Sequence, residues 1–298
     1  MKKILITFLF LPLFGKSQAH VVTVGGGFAF PLCELNRSNA VGLFRLFTEG
    51  LQFGGYDPAG SIGYRYYMEK YFSFGAEVTH LQLSADDKNN VGRFDHPDGI
   101  SNFDRNLNFK TKINHFAVSV QYEPWRDENF WSEYNNGWHY SPYVGIGLGL
   151  FTFNPTTVLN GKEYELQPLG TEGQGMPGYD SKYSRVAISI PVTTGIKITL
   201  PNRKFAFDVS LTVCQTSTDY IDDVGAFYAS PADFSKHYGQ GSVNYQLADR
   251  SIGQGNPAGS PRGINTQNDY IVTGQLKLIM FVNFSDGRNN CFRRSEWQ

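Results

Sequence analysis

Apolar and polar residues alternate along this chain with a period of two. Between 141 and 151, Val144, Ile146, Leu148 and Leu150 share one face, while Tyr143, Gly145, Gly147, Gly149 and Phe151 share the other. Between 186 and 198, Val186, Ile188, Ile190, Val192, Ile196 and Ile198 oppose Ser189, Thr193, Gly195 and Lys197. Successive side chains of a strand point to opposite faces, so the pattern predicts strands and not helices. It recurs to give eight predicted strands, near 21–30, 61–68, 71–83, 110–122, 141–151, 186–198, 204–216 and 269–284.

The connections carry information of their own. The links over 31–60, 84–109, 152–184 and 217–268 are long, whereas those after the second and sixth strands are tight. Short turns at one end, long loops at the other and an even strand number mark outer-membrane barrels. The expected fold class is therefore all-β: an eight-stranded antiparallel up-and-down transmembrane β-barrel with long extracellular loops. One link departs from the rule. Residues 123–140 are long, acidic and aromatic, with Trp125, Trp131 and Trp138, and are expected on the periplasmic side against headgroups or a partner.

The N-terminus agrees with export. Lys2 and Lys3 precede an apolar run over 4–14 that is too short to span a bilayer, and Ser17-Gln18-Ala19 supplies small residues for cleavage. The expected organisation is a signal peptide over 1–19, a barrel over 20–284 and a periplasmic tail over 285–298 that contains Cys291. Phe284 suits a final strand read by the barrel-insertion machinery. No later window is apolar enough for a membrane helix. Abundant glycine (32), 15% aromatics and a net charge of −1 fit a barrel wall and give no basic excess for nucleic acid. Three cysteines, Cys33, Cys214 and Cys291, allow one internal bridge at most, or none.

Magnitudes set the register. A lysine facing lipid at the midplane costs about 2–4 kcal/mol, and a one-residue slip exchanges the two faces of a strand. Arg65, Glu77, Arg185, Lys197, Asp208 and Lys277 are therefore assigned to the lumen. Eight strands leave an interior that side chains just fill, so the barrel should not be a porin. Pro191 has no amide to donate and predicts a bulge or an interrupted ladder.

Candidate chemistry is sparse. His80 and His115 sit on predicted strands, where a Ser/His pair would suit a lipid hydrolase, but no nucleophile motif accompanies them. Asp219, Tyr220, Asp222 and Asp223 cluster carboxylates in a pattern open to Ca²⁺ or to a hydrogen-bonded loop start, without EF-hand spacing. Residues 170–175 look like a phosphate loop, yet no Lys-Ser/Thr follows, and they read as backbone needing unusual dihedrals. No cofactor, metal or small-molecule substrate is assigned.

Several of these segments resemble the PorG-like outer-membrane barrels of the type IX secretion system. The resemblance is carried by Ser141-Pro142-Tyr143, Phe153-Asn154-Pro155, and Leu166-Gln167-Pro168-Leu169-Gly170-Thr171-Glu172-Gly173-Gln174-Gly175. It continues through Ser217-Thr218-Asp219-Tyr220-Ile221-Asp222-Asp223-Val224, Leu247-Ala248-Asp249-Arg250, Arg262-Gly263 and Asn268-Asp269. The resemblance implies a non-enzymatic protein, integral to the outer membrane, that anchors a periplasmic ring of PorK-like lipoprotein and PorN-like protein. Export of proteins, and gliding in some bacteria, would depend on that ring. The long loop motifs should lie outside, so ring contacts are expected from the periplasmic side, with Trp125, Trp131, Trp138 and Cys291 as candidates. Two other classes stay open: a free-standing small barrel with an adhesin-like or lipid-active role, and a soluble exported β-sandwich.

Overall fold

The computed structural model describes residues 19–33, 35, 56–68, 71–90, 102–126, 137–201, 204–253, 255–263 and 268–282. Residues 1–18 of the expected signal peptide, Trp131, Phe284, and the expected tail with Cys291 lie outside the described residues.

Ten strands follow in order: β1 (Ala19–Leu32), β2 (Asp57–Tyr67), β3 (Phe72–Asp86), β4 (Asn108–Tyr122), β5 (His139–Thr152), β6 (Pro155–Leu159), β7 (Lys162–Glu165), β8 (Val186–Thr199), β9 (Phe205–Thr216) and β10 (Tyr270–Val282). Eight of them form a closed ring, β1-β2-β3-β4-β5-β8-β9-β10, with β10 returning to β1 and every pairing antiparallel. The closure excludes the sandwich. β2 and β3 are joined through a bond from the Met68 amide to the Phe72 carbonyl (3.3 Å), and β8 and β9 through one from Leu200 to Phe205 (3.1 Å). These turns lie at the same end as the start of β1 and the end of β10, which is the short-turn end. The long connections gather at the other, the loop end.

Two strands were not foreseen. β6 and β7 form a hairpin around Asn160-Gly161, whose φ angles of 52° and 78° suit a primed turn. β6 takes up β4 where β5 has left it, pairing Thr156 with Lys110 and Pro155 with Thr111. Three short helices also fill the loops: α1 (Asn102–Arg105), α2 (Pro231–Tyr238) and α3 (Val243–Ala248). The Ser230 side chain accepts from the Asp233 amide and Ser242 from Tyr245, so both later helices begin with a hydroxyl cap, and Pro231 occupies the first turn of α2.

Pro191 sits within β8. The β5–β8 ladder breaks opposite it, passing from the Ile146–Val192 pair to Gly149–Ser189, because proline donates no amide. The pairing with Cys214 on the other side persists. Cys33 and Cys214 are both buried and form no bridge with each other.

The wall presents apolar side chains outward in a belt. Val144, Ile146, Leu148, Leu150, Ile188, Ile190, Val192, Val209 and Leu276 are all exposed, and Leu148 is 58% exposed at mid-strand. Phe72, Tyr122, Tyr140 and Phe205 form an aromatic collar at the short-turn end. Exposed apolar surface on this scale is what a barrel offers to lipid, not to water.

The polarity of the strands then inverts toward the loop end. On β4, Phe116 and Val118 face out, but further along Ile113 and Phe109 are buried inside while Lys112 and Lys110 face out. On β3 the outward Val78 gives way to an exposed His80, with Leu81 and Leu83 buried within. Above this line the strands are patterned like a water-soluble sheet around its own core. That core joins Leu81, Leu83, Phe109, Ile113, Phe151 and Ile271 to the loop residues Cys33, Leu35, Leu166, Ile221, Val224 and Leu247. The inversion marks the upper edge of the belt, and the loops dock into the barrel mouth as an apolar plug.

Leu148→Lys should reduce insertion into lipid vesicles by about 2–4 kcal/mol, the cost of a midplane cation. The measurement is the urea midpoint of the heat-modifiable folded band. A midpoint equal to wild type would sink the lipid-facing register.

Candidate functional site

Two polar assemblies occupy the molecule, one inside the barrel and one in the loop cap.

The inner one starts from a row across three strands. Register places Lys197 of β8 and Lys277 of β10 on either side of Asp208 of β9. All three are buried. The Tyr143 hydroxyl donates to both Asp208 oxygens at 3.0 Å. Lys277 turns across the lumen to Glu77, donating at 2.7 and 2.5 Å. Lys197 donates to Glu123 Oε1 (2.5 Å), Gln121 Oε1 (2.9 Å) and the Tyr67 hydroxyl (3.0 Å). Arg65 reaches Ser119 Oγ at 2.8 Å. Large polar side chains fit because glycine stands opposite them: a Cβ at Gly75 would come within 2.7 Å of the Arg65 guanidinium, and one at Gly25 within 2.5 Å of Lys277 Cγ.

Glu123 is the member the sequence reading missed. It follows β4 and folds back under the barrel, held by its amide to the Tyr71 carbonyl (2.8 Å) and by Ser141 Oγ (3.1 Å). The signal was the charge count on the inward faces. Arg65, Lys197 and Lys277 outnumber Glu77 and Asp208, and a third carboxylate had to come from outside the strands. Nearby, Arg126 lies 4.6 Å from the Tyr67 ring centroid and closes the lower mouth. The gap left between Arg65, Glu77, Lys197, Asp208 and Lys277 is ≈ 20 Å³, room for about one water.

Arg185 is a correction. It precedes β8, its side chain is 41% exposed, and it pairs with Glu165 at 2.9 Å and Asn154 at 2.8 Å on the rim. Its inward parity fails because the strand has ended and the β6–β7 hairpin supplies a carboxylate outside the lumen.

His115 and Ser189 do meet, Nε2 to Oγ at 2.8 Å, but both are buried inside the barrel. A lipid bond could not reach that pair from the bilayer. His80 instead faces outward and bonds Asn114 Oδ1 through Nδ1 at 2.8 Å.

The cap gathers the loop motifs. Thr171 Oγ1 and the Tyr183 hydroxyl donate to Asp223 at 2.5 and 2.6 Å. Glu172 Oε1 accepts from the amides of Gly225 (3.0 Å) and Ala226 (3.1 Å) and from Arg262 (3.2 Å). Arg262 also donates to the Asp223 carbonyl at 2.6 Å. Gly170, Gly173 and Asp223 take φ values of 62°, 89° and 66° to make this close approach. Gln167 donates to the Tyr183 carbonyl at 2.9 Å, and the Pro168 carbonyl accepts from Lys182 at 2.6 Å. Tyr220 stacks on Tyr183 with centroids 4.5 Å apart. Asp219 stands half-buried at the start of the same loop. Arg105 binds Asp87 through two 2.9 Å bonds and donates to the Arg262 carbonyl at 2.9 Å, tying a third loop to the knot.

The Ca²⁺ reading of the aspartates meets this geometry directly. Cys33, Asp222 and Asp269 bring ligand atoms within 4.8 Å of one another. Asp222 accepts from the amides of Val224 (3.0 Å) and Leu35 (3.4 Å), and Asp269 from Ile221 (3.0 Å). Asp223 is surrounded by hydroxyl and guanidinium donors. Asp222, Asp223 and one Asp269 oxygen thus accept from loop backbone and neighbouring side chains, as the hydrogen-bonded alternative expects.

Trp125 and Trp138 are 70% and 57% exposed beyond the short-turn end of the barrel.

Fold and site together define a closed antiparallel barrel with paired charges inside and a hydrogen-bonded loop cap. Among solved structures the chain is similar to Neisserial surface protein A (TM-score 0.41, 11% identity, covering 89% of this chain and 99% of that one). It is also similar to Ail, the attachment invasion locus protein of Yersinia pestis (0.38, 9%, 89% and 99%), and to a major outer membrane protein from Thermus thermophilus (0.32, 10%, 89% and 100%). No family model and no curated protein matches the chain. The architecture rests on the strand pairing alone.

Lys197→Met should destabilise the barrel by about 3–5 kcal/mol, because it strands the Glu123 charge in the interior. Adding Glu123→Gln should recover most of that loss in urea unfolding; a double variant no better than the single would refute the pairing. Burial raises the Asp223 carboxyl to about 7, against the opposing effect of Arg262, Thr171 and Tyr183. A raised native pKa means the folded cap holds a proton that the unfolded loop has lost, so stability falls as pH rises from about 4 to 7. Hydrogen exchange in 169–175 and 217–226, corrected for intrinsic rates, should show more protection at pH 5 than at pH 8. Asp223→Asn should flatten that difference.

Proposed function

We propose that this chain is a non-enzymatic, integral outer-membrane component of a type IX secretion apparatus, anchoring a PorK/PorN-like periplasmic ring. The observation that carries the membrane part is the exposed apolar belt around a closed barrel whose strand charges below the belt's edge point inward. Burying that belt in lipid and filling the lumen with paired charges suits a post held in the membrane. The secretion part rests on the loop motifs that resemble PorG-like barrels. Their buried polar atoms hold loops to one another, which suits a scaffold.

The anchoring surface in this reading is the short-turn end. Trp125 and Trp138 project there on a link whose base is pinned by Glu123 to the interior. Exposed tryptophan on a pinned support is a good anchor for a protein partner, since large rigid rings bury much area at little entropic cost. Export and, where it occurs, gliding would follow from the ring being held to the membrane.

Affinity capture from detergent-solubilised outer membranes tests the reading. A PorK-like lipoprotein should co-purify with the wild type, and about tenfold less of it with Trp125→Ala/Trp138→Ala. Capture of the intact barrel without any such lipoprotein would leave a free-standing barrel as the better account.

A further inference from the structure

We infer that the outward face of β4, just above the apolar belt, is a binding site for the phosphate groups of an outer-leaflet glycolipid. The inference rests on the outer-membrane reading and adds a specific lipid contact to it.

The starting point is an asymmetry of the wall. Among the described residues, the other lysines and arginines of the eight barrel strands, Arg65, Lys197 and Lys277, point inward; β4 is the barrel strand with cations on its outer face, at Lys110 and Lys112. They share that face with Tyr122, Val118 and Phe116, so register alone points them at whatever surrounds the barrel. A lysine on that face would be costly within the hydrocarbon. It sits here because the polarity of β3 and β4 inverts between Phe116 and Lys112.

Height follows from strand geometry. Lys112 lies four residues beyond Phe116, about 14 Å along the strand and about 10 Å above it at a tilt of ~40°. The headgroup layer begins there, and a lysine stem extends through apolar surroundings while its ammonium reaches the nearest polar layer. Lys110 stands two residues further on, about 7 Å away along the same face, so both ammonium groups can converge on one phosphate.

Among the described residues, no carboxylate lies within 4.0 Å of either ammonium. The nearby carboxylates have other partners: Glu165 pairs with Arg185, Glu163 accepts from Thr156 Oγ1 at 2.8 Å, Asp86, diagonal to Lys110 on β3, accepts from the Lys88 amide at 2.9 Å, and Asp57 accepts from Gln82 and Ser84 at 2.8 and 2.7 Å. The wall below is apolar and suits acyl chains, while the His80–Asn114 pair next to it marks the polar boundary. Acyl chains against the belt and a phosphate at the lysines describe one amphiphile, and the positive charge selects an anionic one.

The test is native mass spectrometry of the full chain in phosphatidylcholine nanodiscs doped with bisphosphorylated lipid A or with its dephosphorylated form. Wild type should retain the phosphorylated lipid in preference. Lys110→Gln/Lys112→Gln should retain it about tenfold less, while keeping heat-modifiable migration and insertion. Lys236→Gln, the same charge change on α2, should retain as much as wild type. Equal retention of the two lipids by wild type, or an inserted double variant that retains as much as wild type, overturns the inference. A wild-type chain that fails to enter the nanodisc overturns the membrane reading, and the inference with it.

Discussion

One sheet here faces two different solvents, and the rest of the structure depends on that constraint. A strand has two faces that alternate residue by residue, and a single slip exchanges them. Below the inversion line the outer face carries Val144, Ile146, Leu148 and Leu150, while Lys197, Asp208 and Lys277 are driven inside. Above it the outer face carries Lys110 and Lys112, and Phe109 and Ile113 turn inward. The register of the ring is therefore strongly specified, since the strands that carry Lys197, Asp208 and Lys277 would turn a charge toward lipid on a one-residue shift.

Charges driven inward must be satisfied inside, and this shapes the interior. Lys277 finds Glu77 across the lumen, Asp208 finds Tyr143, and Lys197 finds a carboxylate from beyond the strand, Glu123. Buried pairs of this kind add modest net stability because desolvation offsets attraction, but leaving one partner alone is costly. Their main effect is exclusion of alternatives, because a different register would orphan several charges at once. The glycines belong to the same solution. Gly25 and Gly75 are empty positions opposite Lys277 and Arg65, and an eight-stranded bore has no other room for side chains of that length.

The two ends of the barrel are built for different tasks. At the loop end, apolar residues of four long connections complete the core of the strand tops, and the Glu172–Asp223–Arg262 knot with the Arg105–Asp87 pair locks them there. Those interactions hold the loops to one another across the barrel mouth. At the other end the strands finish in tight turns, and the link after β4 carries exposed Trp125 and Trp138. The loop motifs thus serve the barrel's own stability, while the exposed tryptophans lie at its other end.

Eight alternating strands, their order of long and short links and the inward placement of Arg65, Glu77, Lys197, Asp208 and Lys277 were legible in the sequence. Each depends on a period of two, a local property of neighbouring residues. The hairpin at Asn160-Gly161 was legible too, from a dipeptide that favours positive φ, but lay inside a link read as loop. Arg185 shows the limit of parity, which holds only while the strand continues. The recruitment of Glu123, the meeting of Thr171 with Asp223 and the pairing of Arg105 with Asp87 join residues that are distant in sequence or lie outside any strand. Alternation carries no information about which distant groups meet. Closing the ring decided that, because only a closed barrel brings opposite walls within reach and gives the loops a mouth to fill.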